Sequence, residues 1–122
     1  MDPICLLPAL GDGAFFCNSD DLPPDAQNLQ AEVLSSTRSN FVARLPGSRA
    51  GVCSTDTYPA AGGGNIELSG FASCLDERKP QGDCERCLLG GSEMIKTSCP
   101  GKAGARAGSD VCCIRYEQYS FC

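Results

Sequence analysis

Three cysteines lie within the fourteen residues Cys74–Cys87, CLDERKPQGDCERC, and no other stretch restricts the fold of this chain as strongly. A C-x2-C pair such as Cys84 and Cys87 can hold a metal, carry out thiol chemistry or staple a chain, and each use demands different surroundings. Zinc needs four ligands in a tetrahedron. The chain has no histidine and no second C-x2-C pair, and Cys112 and Cys113, adjacent in sequence, are poorly placed to complete a set. A thioredoxin-like pair would follow a buried aliphatic strand in a βαβ unit, a context missing here. Ten cysteines in 122 residues, an even number, instead mark an oxidised, disulfide-stapled and secreted scaffold. Neither a metal nor a cofactor is expected.

Residues 1–122 are read as one domain, with residues 1–13 as a lead-in that carries Cys5. Fifteen acidic against ten basic residues leave a net charge of −5, which argues against nucleic acid or an anionic membrane as partner. No apolar run approaches the roughly 18 residues of a membrane span. The opening MDPICLLPALG lacks a basic flank and is interrupted by Pro8, so it is not a signal peptide. A mature secreted chain with an added Met1 is the expectation. No N-x-S/T sequon occurs. With no histidine base, no serine nucleophile motif and thiols expected to be tied up, an enzyme is not expected.

Ala14–Cys17 reads as a short strand ending in the polar turn Asn18–Asp21. Ala26, Leu29, Val33 and Thr37 recur at steps of three and four, which predicts an amphipathic helix over residues 25–39. Residues 41–45 are a strand or the helix exit, stopped by Pro46-Gly47. Residues 49–58 favour a strand, and the glycines at 62–64 a hairpin loop; no lysine and hydroxyl residue follow them, so they are not a phosphate loop. Ile66–Phe71 reads as a strand, and Ala72–Glu77 as a short helical turn. Asp83 is placed as the N-cap of a second helix running to about Ser98. Gly90 and Gly91 should each cost that helix about 1 kcal/mol, so cysteine staples must help to hold it. Lys102–Asp110 is small and polar around Arg106. The closing VCCIRYEQYSFC is a strand, with Cys112, Ile114 and Tyr116 on one side and Cys113, Arg115 and Glu117 on the other. The two adjacent cysteines therefore serve different bridges.

With these residues in place, the chain resembles the plant ginkbilobin-homologous domain, also called the salt-stress/antifungal or cysteine-rich repeat secretory domain. The likeness is carried by Phe16-Cys17-Asn18-Ser19, by Cys74-x9-Cys84-x2-Cys87 after Gly70-Phe71-Ala72-Ser73, and by Cys112-Cys113-Ile114-Arg115-Tyr116 with Phe121 beyond. It spans about residues 14–121. The first cysteine gap is one residue longer than the C-x8-C of the family. The resemblance implies an α+β fold in which two helices pack on an antiparallel sheet of about five strands. It also implies the bridges Cys17 with Cys99, Cys74 with Cys84, and Cys87 with Cys112, each stabilising by about 2 to 4 kcal/mol. Cys5, Cys53, Cys113 and Cys122 fall outside that set. Their pairing is open: two further internal bridges in a monomer, or a covalent dimer through Cys5 and Cys122.

The resemblance further implies a mannose site at Asn18, immediately after the first family cysteine, with Arg106, six residues before Cys112, and Glu117, five after it. A guanidinium donor, a carboxylate acceptor and an amide that does both suit vicinal hydroxyls. No aromatic stacking platform is evident from the sequence. The implied role is a secreted, apoplastic plant defence protein with lectin-type antifungal activity, taking mannose or the mannan of fungal walls, with fungal surface proteins as further partners. The alternative is an apoplastic interaction module that recognises a microbial effector or a receptor ectodomain without sugar. In the plainest reading of the residues, Arg106 and Glu117 are an exposed ion pair worth about 0–1 kcal/mol, and Asn18 is a turn residue.

Overall fold

The computed structural model describes residues 14–45, 50–60, 62–74 and 78–122. The lead-in 1–13 with Cys5, the Pro46-Gly47 stop, and residues 75–77 of the expected helical turn lie outside them.

Five strands, β1 (Ala14–Cys17), β2 (Val52–Pro59), β3 (Asn65–Cys74), β4 (Gly104–Gly108) and β5 (Cys112–Glu117), form one antiparallel sheet in the order β1-β4-β5-β3-β2. Two helices, α1 (Leu29–Val42) and α2 (Gln81–Ser98), pack on one face of it. This is the expected α+β architecture.

Strand alternation sorts the side chains into two sets. Leu68, Ala72, Ala105, Ala107, Ile114 and Tyr116 point to the helices and pack with Leu29, Val33, Leu34 and Phe41 of α1 and with Cys84, Leu88 and Ile95 of α2. Small residues set how closely the helices approach. A Cβ on Gly91 would come within 3.1 Å of Ile114 and 3.7 Å of Ala107, so α2 lies nearly backbone-to-sheet at that point. The glycine that weakens α2 as an isolated helix thus improves its docking. On α1 the matching contact is Thr37 over Gly70, where an added Cβ would collide with the Thr37 hydroxyl.

A buried polar network fastens α1 to the turn after α2. The Gln30 Nε2 group donates to the Cys99 carbonyl at 2.7 Å and to the Tyr116 hydroxyl at 2.9 Å, while Gln30 Oε1 accepts from Gly101 N–H at 3.4 Å. Tyr116 in turn donates to the Lys102 carbonyl. Burial, opposed in part by the Gln30 hydrogen bond, pushes the Tyr116 phenol up from 10.0 to about 12.

Four disulfides join described residues: Cys17–Cys99, Cys74–Cys84, Cys87–Cys112 and Cys53–Cys122. The first three are the pairs the resemblance implies. The fourth ties the end of the chain to edge strand β2, which removes Cys122 from the interchain link considered above. Cys113 is also disulfide-bonded, and it faces away from the helices beside Phe71, Cys53 and Phe121.

Three expectations are corrected and a further segment is assigned. The first helix begins with a separate 3-10 turn at Pro24–Ala26, and α1 then runs on to Val42 because Phe41, four residues beyond Thr37, continues its buried stripe. Ala72–Cys74 is strand rather than helical turn, since β5 supplies it with partners as far as Cys112. The N-cap of α2 is Pro80 and not Asp83, which sits in the first turn paired with Arg86. Residues 104–108, read from the sequence only as part of a small and polar stretch, form the interior strand β4.

Candidate functional site

The face of the sheet turned away from the helices carries two informative rows. One runs Phe16, Arg106, Arg115, Phe71, Cys53 across all five strands in register. The next holds Gly104, Glu117, Ser69 and Thr55. Beyond the end of β1, Asn18 N–H donates to the Gly104 carbonyl at 2.9 Å and so prolongs the β1–β4 ladder by one residue.

Asn18 is fixed from three sides. The Cys17–Cys99 bridge anchors the residue before it. Its Oδ1 accepts from Asp20 N–H at 3.1 Å, forming a local turn. Its Nδ2 donates to Glu117 Oε1 at 3.4 Å. Glu117 also accepts from Arg115 Nε at 3.0 Å, in an ion pair whose side chains are only 12% and 10% exposed. The Glu117 carboxylate lies across β4 because residue 104 is glycine: a Cβ there would overlap Glu117 Oε1.

The Arg106 guanidinium stands over the Phe16 ring, 5.0 Å from its centre. Its Nε is buried and has no hydrogen-bond partner among the described residues. Arg115, opposite Arg106 on β5, donates to the Tyr119 hydroxyl at 2.8 Å and lies 4.4 Å over Phe121. The tail after β5 thereby folds over this face, where the Cys53–Cys122 bridge clasps it.

Together these residues enclose an open hollow of about 330 Å³, lined by Phe16, Cys17, Asn18, Ser19, Ala105, Arg106, Arg115, Glu117 and Tyr119. That volume is at the low end for small-molecule sites. The structure brings Asn18, Arg106 and Glu117 to one cavity. It does not pair Arg106 with Glu117 as an exposed ion pair; the partner of Glu117 is Arg115. Phe16 and Tyr119, 51% and 50% exposed, supply apolar walls that the sequence did not suggest. Phe16 and Gly104 become legible as site residues only through the register of β4. The alternation within β5 already placed Arg115 beside Glu117.

The other cysteine motif falls elsewhere. Cys84 is bonded to Cys74 and Cys87 to Cys112, so the C-x2-C pair is divided between two bridges. No group of three or more metal-ligating side chains occurs among the described residues.

A disulfide-stapled α+β module with a polar hollow on the open side of its sheet is the class that fold and site define. Residues 16–119 match the salt stress response/antifungal family, and the chain belongs to that family. Over 48 residues it is 40% identical to cysteine-rich receptor-like protein kinase 34 of Arabidopsis thaliana, a stretch that makes up 39% of this chain and 7% of the kinase. The tandem DUF26 ectodomain of the Arabidopsis thaliana cysteine-rich receptor-like protein PDLP5 is similar in structure, with a TM-score of 0.65 at 19% identity. That likeness covers 88% of this chain and 50% of the ectodomain. The PDLP8 ectodomain gives a TM-score of 0.61 at 18% identity, covering 88% and 48% respectively. At such identity the likeness is one of fold, and this chain spans about half the length of either ectodomain.

Proposed function

We propose that this chain is a secreted plant defence protein that binds mannose, and through it the mannan of fungal cell walls, at the hollow on the open face of its sheet. The observation that supports this is the convergence of Asn18, Arg106 and Glu117 on one cavity flanked by two half-exposed aromatic rings. Glu117 accepts hydroxyl protons, Arg106 donates, and the Asn18 amide does both. Phe16 and Tyr119 offer apolar surface to the C–H faces of a sugar ring. Few contacts and an open cavity imply weak monovalent affinity, which a polymeric glycan multiplies. Titration with methyl α-mannoside and binding to mannan test the reading, with Arg106→Ala and Glu117→Ala as controls. Saturable binding by the parent protein that both variants lose supports it; equal lack of binding by all three removes it.

A second reading is supported by the likeness to receptor-like ectodomains. In it the chain is an extracellular module that recognises a protein, such as a microbial effector or a receptor ectodomain, without sugar. Capture of a partner from fungal wall extract that free mannose does not compete away, and that survives both substitutions, would favour this reading over the first.

A further inference from the structure

Among the described residues that line the hollow, two arginines face one carboxylate. Register places Arg106 directly opposite Arg115 on the same face of neighbouring strands, an arrangement that is destabilising unless the charges are compensated. The carboxylate among the lining residues, Glu117, is already engaged by Arg115 at 3.0 Å and by Asn18 at 3.4 Å. Arg106 forms no hydrogen bond or ion pair among the described residues, and its Nε is enclosed without a partner. Its guanidinium lies 5.0 Å over the Phe16 ring and lines the hollow. A positive site of this kind is not a general property of a chain whose net charge is −5.

We propose that Arg106 is a carboxylate subsite, and that the preferred ligand class of the hollow is an acidic saccharide, a hexuronate residue whose ring hydroxyls meet Asn18 and Glu117 while its carboxylate meets Arg106. This rests on the sugar-binding reading above and names the ligand more narrowly. A planar guanidinium takes a carboxylate through two parallel N–H···O bonds, a stronger and more directional contact than it makes with a neutral hydroxyl. Phe16 screens one side of that contact from water. Tyr119 closes the opposite wall, held there by Arg115 and by the clasped tail.

Mannuronate is the informative probe, because it keeps the ring hydroxyls of mannose and changes only the C6 hydroxymethyl group to a carboxylate. The intact disulfide-bonded protein is titrated with methyl α-mannoside, a methyl mannuronate glycoside and acetate, at low and at physiological salt. Binding of the mannuronate tighter than the mannoside by roughly tenfold or more is expected. That advantage should shrink as salt rises, while mannoside affinity stays level. It should disappear in Arg106→Gln, with folding of the variant checked by its thermal midpoint. Mannoside binding with no gain for mannuronate overturns the carboxylate subsite and leaves the mannose reading standing. Acetate competing as well as mannuronate shows a plain anion site and overturns the saccharide assignment. A mannuronate advantage that survives in folded Arg106→Gln places the carboxylate elsewhere and also overturns it. Absence of binding by either sugar removes both readings. Should the variant not fold, the salt dependence of the parent protein decides alone: a mannuronate advantage insensitive to salt overturns the proposal.

Discussion

The two faces of the sheet are built from alternate residues of the same strands and obey different rules. Toward the helices, β4 contributes Ala105 and Ala107 and β5 contributes Ile114 and Tyr116, all within a continuous apolar core. Toward the open side the same strands contribute Arg106, Arg115 and Glu117. Packing decides the first face, where shape and volume matter and nearly every polar atom is satisfied. Charge and hydrogen bonding decide the second, where an enclosed Arg106 nitrogen has no partner among the described residues. A single strand therefore contributes to the core with one set of alternate residues and to the hollow with the other, and the two can be perturbed separately.

The largest effect is expected where the faces share an anchor. Replacing Cys17 and Cys99 together by serine should lower stability by about 2–5 kcal/mol. It should also abolish ligand binding even well below the new thermal midpoint, because Asn18 loses its tether. Thermal unfolding and titration on the same sample check both parts; binding retained in the folded variant would show that the turn does not depend on the bridge. Next comes a substitution confined to the helix side. Leu88→Ala, at a fully buried position, should cost about 2–5 kcal/mol in denaturant unfolding while the folded fraction binds ligand with unchanged affinity. Altered affinity would mean that the two faces are coupled.

A smaller, pH-dependent loss should come from Tyr116. Its phenol is raised from 10.0 to about 12 in the folded protein, chiefly by burial. The unfolded chain therefore releases this proton first as pH rises, and ionisation favours unfolding. The contribution is fully present below pH 10 and is lost as pH climbs toward 12. Denaturant midpoints across that window should fall for the parent protein and fall less steeply for Tyr116→Phe. The smallest stability effect belongs to the open face. Gly104→Ala should lower stability by about 1–2 kcal/mol, because its Cβ would overlap the Glu117 carboxylate, which Arg115 and Asn18 hold in place, and would crowd the Tyr116 carbonyl at 3.1 Å. It should nevertheless remove sugar binding by displacing that carboxylate. Titration of the folded variant well below its thermal midpoint is the check, and retained affinity would show that Glu117 is not needed where it lies.

The same contrast explains what could be read from the residues alone. The helix-facing set was legible because apolar periodicity reports burial: the stripe of α1, the alternation of β5, and the split duty of Cys112 and Cys113 all follow from it. Strand β4 was not, since Gly104-Ala-Arg-Ala-Gly108 has no β-branched or aromatic residue to announce a strand. Its small side chains suit an interior position, where α2 approaches from one side and Glu117 crosses on the other. With β4 unseen, the register that sets Arg106 against Phe16 and Arg115 was out of reach. Asn18, Arg106 and Glu117 could be named only through the family resemblance, which implies a site at those positions relative to Cys17 and Cys112, whereas the aromatic walls and the charge imbalance required the paired strands.

Gln30 carries a consequence for the motions of the molecule. Its side chain binds the Cys99 carbonyl, the Tyr116 hydroxyl and the Gly101 amide at once, and Gly101 in turn accepts from the Leu22 amide at 2.8 Å. Helix α1, the turn after α2 and the chain leading out of β1 are thereby joined through one side chain. In hydrogen exchange, the amides of Leu22, Gly101 and the middle of α1 should then open together as a single cooperative unit. The turn that presents Asn18 would exchange with the core of the protein rather than with its surface loops.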